Sequence, residues 1–468
     1  MALNANRPLA LDDYFDQRIL QKYNTSGPRY TSYPTAIAFS ENYETTEVDV
    51  AYDMLKSSDV ANALSIYIHI PFCHRLCYYC GCNKIVTRHH HKADLYLDYL
   101  HKEFLLKSSK LAGCKVKDVH LGGGTPNFLS IAQMHRLMEI MNAYVTFADN
   151  PEFSIELDPR TVTLDYLTRL RDVGFTRVSF GIQDANKKVQ TAINRVQDST
   201  HIKKLIEHAK HLNFDSINLD LIYGLPHQNT ATFDETLQLV KAISPDRVSL
   251  FSYAHMPQMF ASQKKIKDDW LPSTTEKFAL FRQAIAFMTT LGYEFIGMDH
   301  FAKSDDKLSV AHRSKTLYRN FQGYTTGIAN ACLGFGCSSI SSVGNLYQQN
   351  AKTLNDYYAM LDSNAVPVTK GVVLTKDDII RRDLIHTLMC NFELDKRDFS
   401  EKHNIEFDDY FCRELATLKG MQRDKLLTDN AEKIVVHDRG RLIVRNICMS
   451  FDKYLAQPMH QMRYSRVI

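Results

Sequence analysis

The sequence predicts an α/β protein built on a parallel sheet, because short β-branched runs alternate with helical patterns between residues 64 and 300. Six such units follow one another, and the helical intervals carry start and stop signals of their own. The first run, at 65–70, leads directly into a cysteine-rich loop. The next three lie at 116–121, 153–157 and 176–180, and the last two at 216–223 and 247–253. Between them, Ser130-x-x-Gln133 and Ser273-x-x-Glu276 have the form of capping boxes. Leu164, Leu167, Leu170 and Val173 recur at helical spacing before a terminating Gly174, and Ile202, Leu205, Ile206 and Ala209 repeat the pattern. Such a sheet is either open and doubly wound or curled into a full or partial barrel, and periodicity does not choose between these.

Residues 1–45 read as a polar N-terminal arm with the string NTSGPRY at 24–30. Residues 46–365 hold the sheet and, from 300 onward, a loop-rich extension. Residues 366–468 are mostly helical, with a hairpin expected across 426–436 (LLTDNAEKIVV). Helices flanking a hairpin suggest a small winged-helix-like domain, but no basic stripe marks it for DNA.

The 468 residues are 44% hydrophobic and carry 56 Lys+Arg against 53 Asp+Glu, so the chain buries a core easily and has a formal charge of only +3. That balance excludes a polybasic nucleic-acid or membrane surface, and any acidic ligand must be met locally. No apolar run approaches the roughly 18 residues of a membrane span, and the N-terminus carries charge where a signal peptide is apolar. The expectation is a cytoplasmic protein, and a monomer, since no heptad or large apolar stripe is present. In a reducing compartment ten cysteines point to metal or redox chemistry rather than disulfides, and four of them fall within residues 73–82.

These four stand as C-x3-C-x2-C-x-C at Cys73, Cys77, Cys80 and Cys82. Zinc ordinarily takes two well-separated pairs that surround it tetrahedrally. Three thiolates on one tight loop suit an iron–sulfur cube better, because each sulfur caps a different iron and one iron stays open. Cys82, two residues beyond Cys80, has little chain slack to reach the opposite corner, so it is expected near the site without ligating.

Cys73, Cys77, Tyr79 and Cys80 resemble the radical S-adenosylmethionine (SAM) superfamily, whose mark is C-x3-C-x-aromatic-C. The longer string YIHIPFCHRLCYYCGCNKIVTR is similar to the oxygen-independent coproporphyrinogen III oxidase family. GPRYTSYPTA, HLGGGTPNFL, GIQD, NLDLIYGLP, FIGMDHFA, NFQGYTT and RNICMSFDKYL match that family in order, over nearly the whole chain. The resemblance implies a partial (β/α)6 barrel with a helical C-terminal domain. It places the Cys loop, Gly122-Gly123-Gly124-Thr125, Glu156, Gln183 and Asp220 at or just past the C-terminal ends of strands, where barrel chemistry belongs.

The resemblance further implies one 4Fe–4S cluster on Cys73, Cys77 and Cys80 and a first SAM near Tyr67, Gly123, Glu156 and Ile340. It implies a second SAM near Tyr79, Gly124, Thr125, Gln183, Arg195, Asp220 and Ala254. Glycines let backbone groups approach a polar ligand, and carboxylates accept from ribose hydroxyls. An arginine on a helical stretch such as Arg195 is ordinarily solvated, whereas a carboxylate in an apolar strand, as at Asp220, is costly to bury without a partner. His69 and Cys82 lie near the site. Tyr79 stands where the family commonly has Phe, and Ser339 where it has Ala, which keeps shape but affects the placement of Ile340.

The implied reaction turns two propionates of coproporphyrinogen III into vinyl groups, giving protoporphyrinogen IX for haem synthesis without oxygen. A 5′-deoxyadenosyl radical from SAM removes a hydrogen from the propionate β-carbon, and carbon dioxide and one electron then leave. Four propionates must be met by placed donors, with Arg29 and Gln322 as candidates. The arm equally suits a cover that keeps water from the radical. An unidentified electron donor is required, and neither nucleic acid nor membrane is expected as a partner. Two rival functions are a haem-binding superfamily member without oxidase activity and a simple electron-transfer protein.

Other conspicuous features have plain readings. His89-His90-His91 reads as a solvated loop before a helix. Cys114, Cys332, Cys337, Cys390, Cys412 and Cys448 lack ligand spacing and read as small apolar fillers, and Met134, Met138 and Met141 as core.

Overall fold

The computed structural model describes residues 15–43, 46–57, 64–326, 331–456, 464 and 466, so residues 1–14 and 44–45 of the expected arm lie outside it. Its centre is one twelve-stranded sheet. Six βα units build the first half: β1 (Leu64–Ile70), β2 (Lys115–Gly123), β3 (Thr146–Leu157), β4 (Arg177–Gln183), β5 (Ser216–Tyr223) and β6 (Arg247–Ser252). Each is followed by its main helix: α1 (His91–Leu111), α2 (Ile131–Tyr144), α3 (Leu164–Val173), α4 (Ser199–His211), α5 (Thr230–Ile243) and α6 (Thr274–Thr290). All six strands run parallel, each hydrogen-bonded to the next.

Local chemistry accounts for the helix limits. Both expected capping boxes form at the starts of α2 and α6, and Gly174 ends α3 at φ +115°. Ile202, Leu205, Ile206 and Ala209 are buried along one face of α4 against the sheet. The six strand positions match the expected runs to within a few residues, except that β3 starts seven residues earlier than the apolar pattern suggests, at Thr146.

The stretch from 300 to 365 corrects the expectation of loops. It holds β8 (His300–Lys303), β9 (Ala331–Phe335), β10 (Ile340–Val343) and β11 (Leu346–Asn350), while β7 (Tyr293–Gly297) precedes it and β12 (Val368–Val373) follows. The strand order is β12-β11-β10-β9-β1-β2-β3-β4-β5-β6-β8-β7, with β9 added parallel to β1 and the outer strands antiparallel. Strands β8 to β11 are only four or five residues long, and β10 and β11 mix apolar residues with Ser, Gln and Asn, so they carry no run long enough to read as a strand. The sheet also runs past residue 365, so the expected boundary at 365/366 falls inside it, and the last domain starts after β12.

That domain packs helices Lys376–Asn391, Lys396–His403 and Cys412–Arg423 around a small sheet. The expected hairpin is present as Leu427–Asp429 paired with Lys433–Val436, and Glu393–Asp395 adds a third strand. Tyr30 and Tyr33 of the arm are buried in this domain's core. The hydroxyl of Tyr30 donates to Asp452 at 2.9 Å, and Arg445 donates to the Pro28 carbonyl at 2.7 Å. The arm is therefore clasped between barrel and C-terminal domain.

Candidate active site

The strands that line the barrel interior alternate polar side chains at every second residue. Asp118 and His120 on β2, Ser154 and Glu156 on β3, Ser179 on β4, Asn218 and Asp220 on β5 and Ser249 on β6 all face one chamber of about 840 Å3. The cysteine loop closes its C-terminal end. Phe72–Cys73 pairs with Ile85–Val86, and the Thr87 amide donates to the Cys73 carbonyl at 2.9 Å, so residues 74–84 project as one clasped loop. Cys73, Cys77, Cys80 and Cys82 all line the chamber.

Fixed donors hold the thiols. Thr125 Oγ1 donates to Cys73 Sγ at 3.3 Å, and burial pushes the Cys73 thiol up to about 11. Cys77 Sγ accepts from Arg195 at 3.4 Å and from Arg160 at 3.6 Å. A hydrogen bond with Cys82, together with the Lys84 ammonium, brings the Cys80 thiol down to about 6. Among the described residues, no three His, Cys, Asp or Glu side chains converge as ligands of a single metal ion. Three thiols carried on one loop at the chamber suit a cluster of several irons.

Arg195, which by residue type alone reads as solvated and by resemblance stands near a second SAM, is buried. It lies beyond the short helix Lys187–Ala192, is only 6% exposed, and pairs with Asp158 at 3.3 Å. Burial opposes the charge on Asp158, but Arg195 and Arg160 outweigh it and hold that carboxyl down at about 2. Among the described residues Nε of Arg195 has no partner, although its Nη2 donates to the Gly181 carbonyl at 2.5 Å. An orphaned cationic donor on the chamber wall fits an anionic ligand group there.

The glycines of β2 are required by close approach. A Cβ at Gly122 would stand 2.9 Å from the Glu156 carboxylate, and one at Gly123, where φ is +107°, 2.4 Å from the His69 ring. Glu156 accepts from the Gly123 amide at 3.3 Å and meets His120 Nε2 at 3.2 Å, contacts that outweigh burial and lower its pKa. Tyr67 stacks on His120 and reaches His69 Nδ1 at 3.1 Å. His69 Nε2 in turn lies 3.0 Å from the Asn83 carbonyl, and burial lowers the pKa of that histidine.

Gln183 closes β4 at φ +66°, whereas Asp220 sits mid-strand as the fifth of eight residues in β5, not at the strand end as expected. Ser179 and Asn218 donate to Asp220 at 2.8 and 2.9 Å, and burial with the nearby Glu156 raises its carboxyl to about 6. Ala254 and Tyr79 share Gln263, whose amide donates to both carbonyls. Ile340 opens β10 beside Phe39, Tyr347 and Leu374. Gln322 lines the chamber from the turn of a hairpin, Tyr318–Asn320 with Gly323–Thr325. Arg29 pairs with Asp299 at 2.9 Å, and Asp299 with His300, which lines the chamber.

His120, Asp158, Arg160 and Asp299 belong to the site without a sequence motif of their own to mark them. The alternation of polar residues along β2 and β3 is the signal that marks the first two. The histidine run at 89–91 is exposed, as expected. Cys412 is exposed, which corrects its reading as an apolar filler, while Cys332 is partly buried.

A parallel barrel with a three-cysteine loop at the carboxyl ends of its strands is the architecture of radical SAM enzymes, and residues 67–240 match the Radical SAM superfamily. Residues 374–443 match the HemN C-terminal domain. The chain belongs to the oxygen-independent coproporphyrinogen III oxidase family. It is 48% identical over 454 residues to the oxygen-independent coproporphyrinogen III oxidase of Escherichia coli K12, covering 97% of this chain and 98% of that one. The Synechocystis protein of the same name is 43% identical over 459 residues, again covering 97% and 98%. A solved structure described as coproporphyrinogen III oxidase (HemN) from Escherichia coli, a radical SAM enzyme, superposes with a TM-score of 0.89. It is 47% identical and covers 94% of this chain and all of that one. Among the described residues no helix is long and apolar enough to cross a membrane.

Proposed function

We propose that the chain oxidatively decarboxylates two propionates of coproporphyrinogen III, as its family name states, using one 4Fe–4S cluster and SAM. Three cysteines, presented on one clasped loop over the polar chamber, carry this reading. The cluster and SAM supply electron transfer and a carbon-centred radical when bound. The residues of the chain hold and shield these groups. Cys73, Cys77 and Cys80 are the ligands, with Cys82 beside them as a donor to Cys80. Tyr67, Gly123, Glu156 and Ile340 serve a first SAM. A second SAM lies against Tyr79, Gly124, Thr125, Gln183, Arg195, Asp220 and Ala254, supported by the unpartnered Arg195 Nε and the raised Asp220. Arg29 acts through Asp299 at the chamber mouth and Gln322 from its rim. The protein works as a cytoplasmic monomer with a separate electron donor. The haem-binding alternative is disfavoured by relatives that carry the oxidase name over the full chain.

The test is anaerobic reconstitution with SAM, a strong reductant and coproporphyrinogen III, measuring 5′-deoxyadenosine and protoporphyrinogen IX. A Cys77→Ser variant is expected to lose both products, and full activity in that variant would overturn the mechanism. Two deoxyadenosines per protoporphyrinogen, with two SAM molecules bound at equilibrium, are expected from the paired sites.

A further inference from the structure

Behind the hairpin that carries Gln322 lies a second, smaller cavity of about 40 Å3, where the arm, the hairpin and the helix Lys376–Asn391 meet. Arg319 and Arg382 line it, and among the described residues no acidic side chain does. Arg319 is only 5% exposed, yet among the described residues its Nε and Nη1 have no hydrogen-bond partner. Its guanidinium lies 4.6 Å from the Tyr324 ring centroid, a contact that supports the cation without accepting a hydrogen bond from Nε or Nη1. Arg382 by contrast donates to the Gly344 carbonyl at 2.9 Å and has Asp383 at 3.8 Å.

A buried guanidinium with idle donors is costly unless an anion completes it. Among the described residues its neighbourhood does not supply one. The nearby Asp299 is already shared between Arg29 and His300. His386 is neutral: burial brings it down to about 4, and its Nε2 accepts from the Arg319 amide at 3.2 Å. The cavity holds about one carboxylate, given that a single water needs roughly 10–15 Å3 of such space. Arg319 pairs in register with Tyr324, which lines the main chamber, so the cavity and the chamber share the hairpin as a common wall.

We propose that Arg319 anchors one carboxylate of the tetra-anionic substrate in this niche, with Arg382 as the second cation, while the ring occupies the chamber on the other side of the hairpin. This assignment rests on coproporphyrinogen III being the substrate. Nε and Nη1 stand on different edges of the guanidinium, so a carboxylate in the niche takes a charge-assisted hydrogen bond from one of them rather than a bidentate pair. Two arginines outside the SAM chamber thus supply part of the charge that the nearly neutral chain lacks as a whole.

The test is fluorescence titration of the reconstituted full-length chain with coproporphyrin III, the stable oxidised tetracarboxylate, and with mesoporphyrin IX, a dicarboxylate. Arg319→Met is expected to weaken coproporphyrin III binding about tenfold or more, with mesoporphyrin IX binding and the absorption spectrum of the cluster unchanged. Arg319→Gln, which retains bulk and one donor, is expected to show the same selective loss and serves if the Met variant does not fold. Unchanged coproporphyrin III affinity in either folded variant would overturn the proposal, as would an equal loss for both porphyrins, which is the mark of a structural role. Wild-type protein that binds neither porphyrin would instead defeat the substrate reading itself.

Discussion

Nη1 of Arg195 lies 3.4 Å from Sγ of Cys77, so a buried guanidinium braces the cysteine loop from the opposite wall of the barrel. The same group pairs with Asp158 at 3.3 Å. Arg195→Met would leave Asp158 to Arg160 alone, inside a wall where charge is expensive. The expected cost is about 3 kcal/mol, at the low end for breaking a buried pair because one partner remains. Urea unfolding of the cluster-free chain measures it, and a loss below about 0.5 kcal/mol, the level of an ordinary surface change, would show that Arg160 suffices.

Gly123→Ala tests the close packing of the chamber wall. The added Cβ meets the His69 ring at 2.4 Å, and φ +107° is strained for alanine. His69 must turn, carrying its contacts with Tyr67 and the Asn83 carbonyl. A fall in SAM affinity of about tenfold or more is expected by equilibrium dialysis, in line with a strain of about 1–3 kcal/mol. Gly292→Ala is the control: its φ is +83° but nothing stands within 4 Å, so it loses stability without losing SAM.

Asp184 predicts a pH dependence of stability. It is fully buried, and burial raises its carboxyl from 3.8 to about 7 despite hydrogen bonds from Gln228 at 2.6 Å and the Asn186 amide at 2.7 Å. Between pH 4 and 7 the folded chain therefore holds a proton that the unfolded chain has released, so this group's contribution to stability is full below pH 4 and falls as pH rises to 7. Asp184→Asn removes that slope. Denaturant midpoints of the two proteins, measured across this range, are expected to converge at the acid end and to separate toward pH 7 in favour of the variant.

Much of this arrangement was legible in the chain. The six βα units, both capping boxes and the cysteine loop follow from local signals, namely periodicity, cap chemistry and ligand spacing. What escaped depends on contacts distant in sequence. The strands β9 to β11 are only four or five residues long, and although β9 (Ala331–Phe335) is apolar, β10 and β11 carry Ser, Gln and Asn, so they lack the long apolar runs that mark a central strand. Arg195 reads as solvated because the buried partner that holds it, Asp158, is 37 residues away in the chain. The inward alternation Asp118, His120 and Ser154, Glu156 was present in the sequence, but polar residues at period two ordinarily mark the solvent face, and only a barrel with a wet interior reverses that meaning.

Glu103 carries the last prediction. It is fully buried on α1 and accepts from Lys107 at 2.5 Å, the Gly336 amide at 2.7 Å, Asn350 at 2.8 Å and the Tyr357 hydroxyl at 2.6 Å. One carboxylate thus ties the first barrel helix to the turn between β9 and β10, which ends at Ile340, and Lys107 completes the set through the Gly334 carbonyl at 3.0 Å. Glu103→Ala would strand a buried ammonium and three donors at once, with an expected loss of about 3–5 kcal/mol. Glu103→Gln keeps shape and one acceptor but not the charge opposite Lys107, so its loss is smaller. The double variant Glu103→Gln with Lys107→Met, which removes the unpaired cation, is expected to recover part of it. Thermal and urea unfolding of the wild type, Glu103→Gln, Lys107→Met and the double variant form a cycle, and strict additivity in that cycle would show that the pair contributes no coupling.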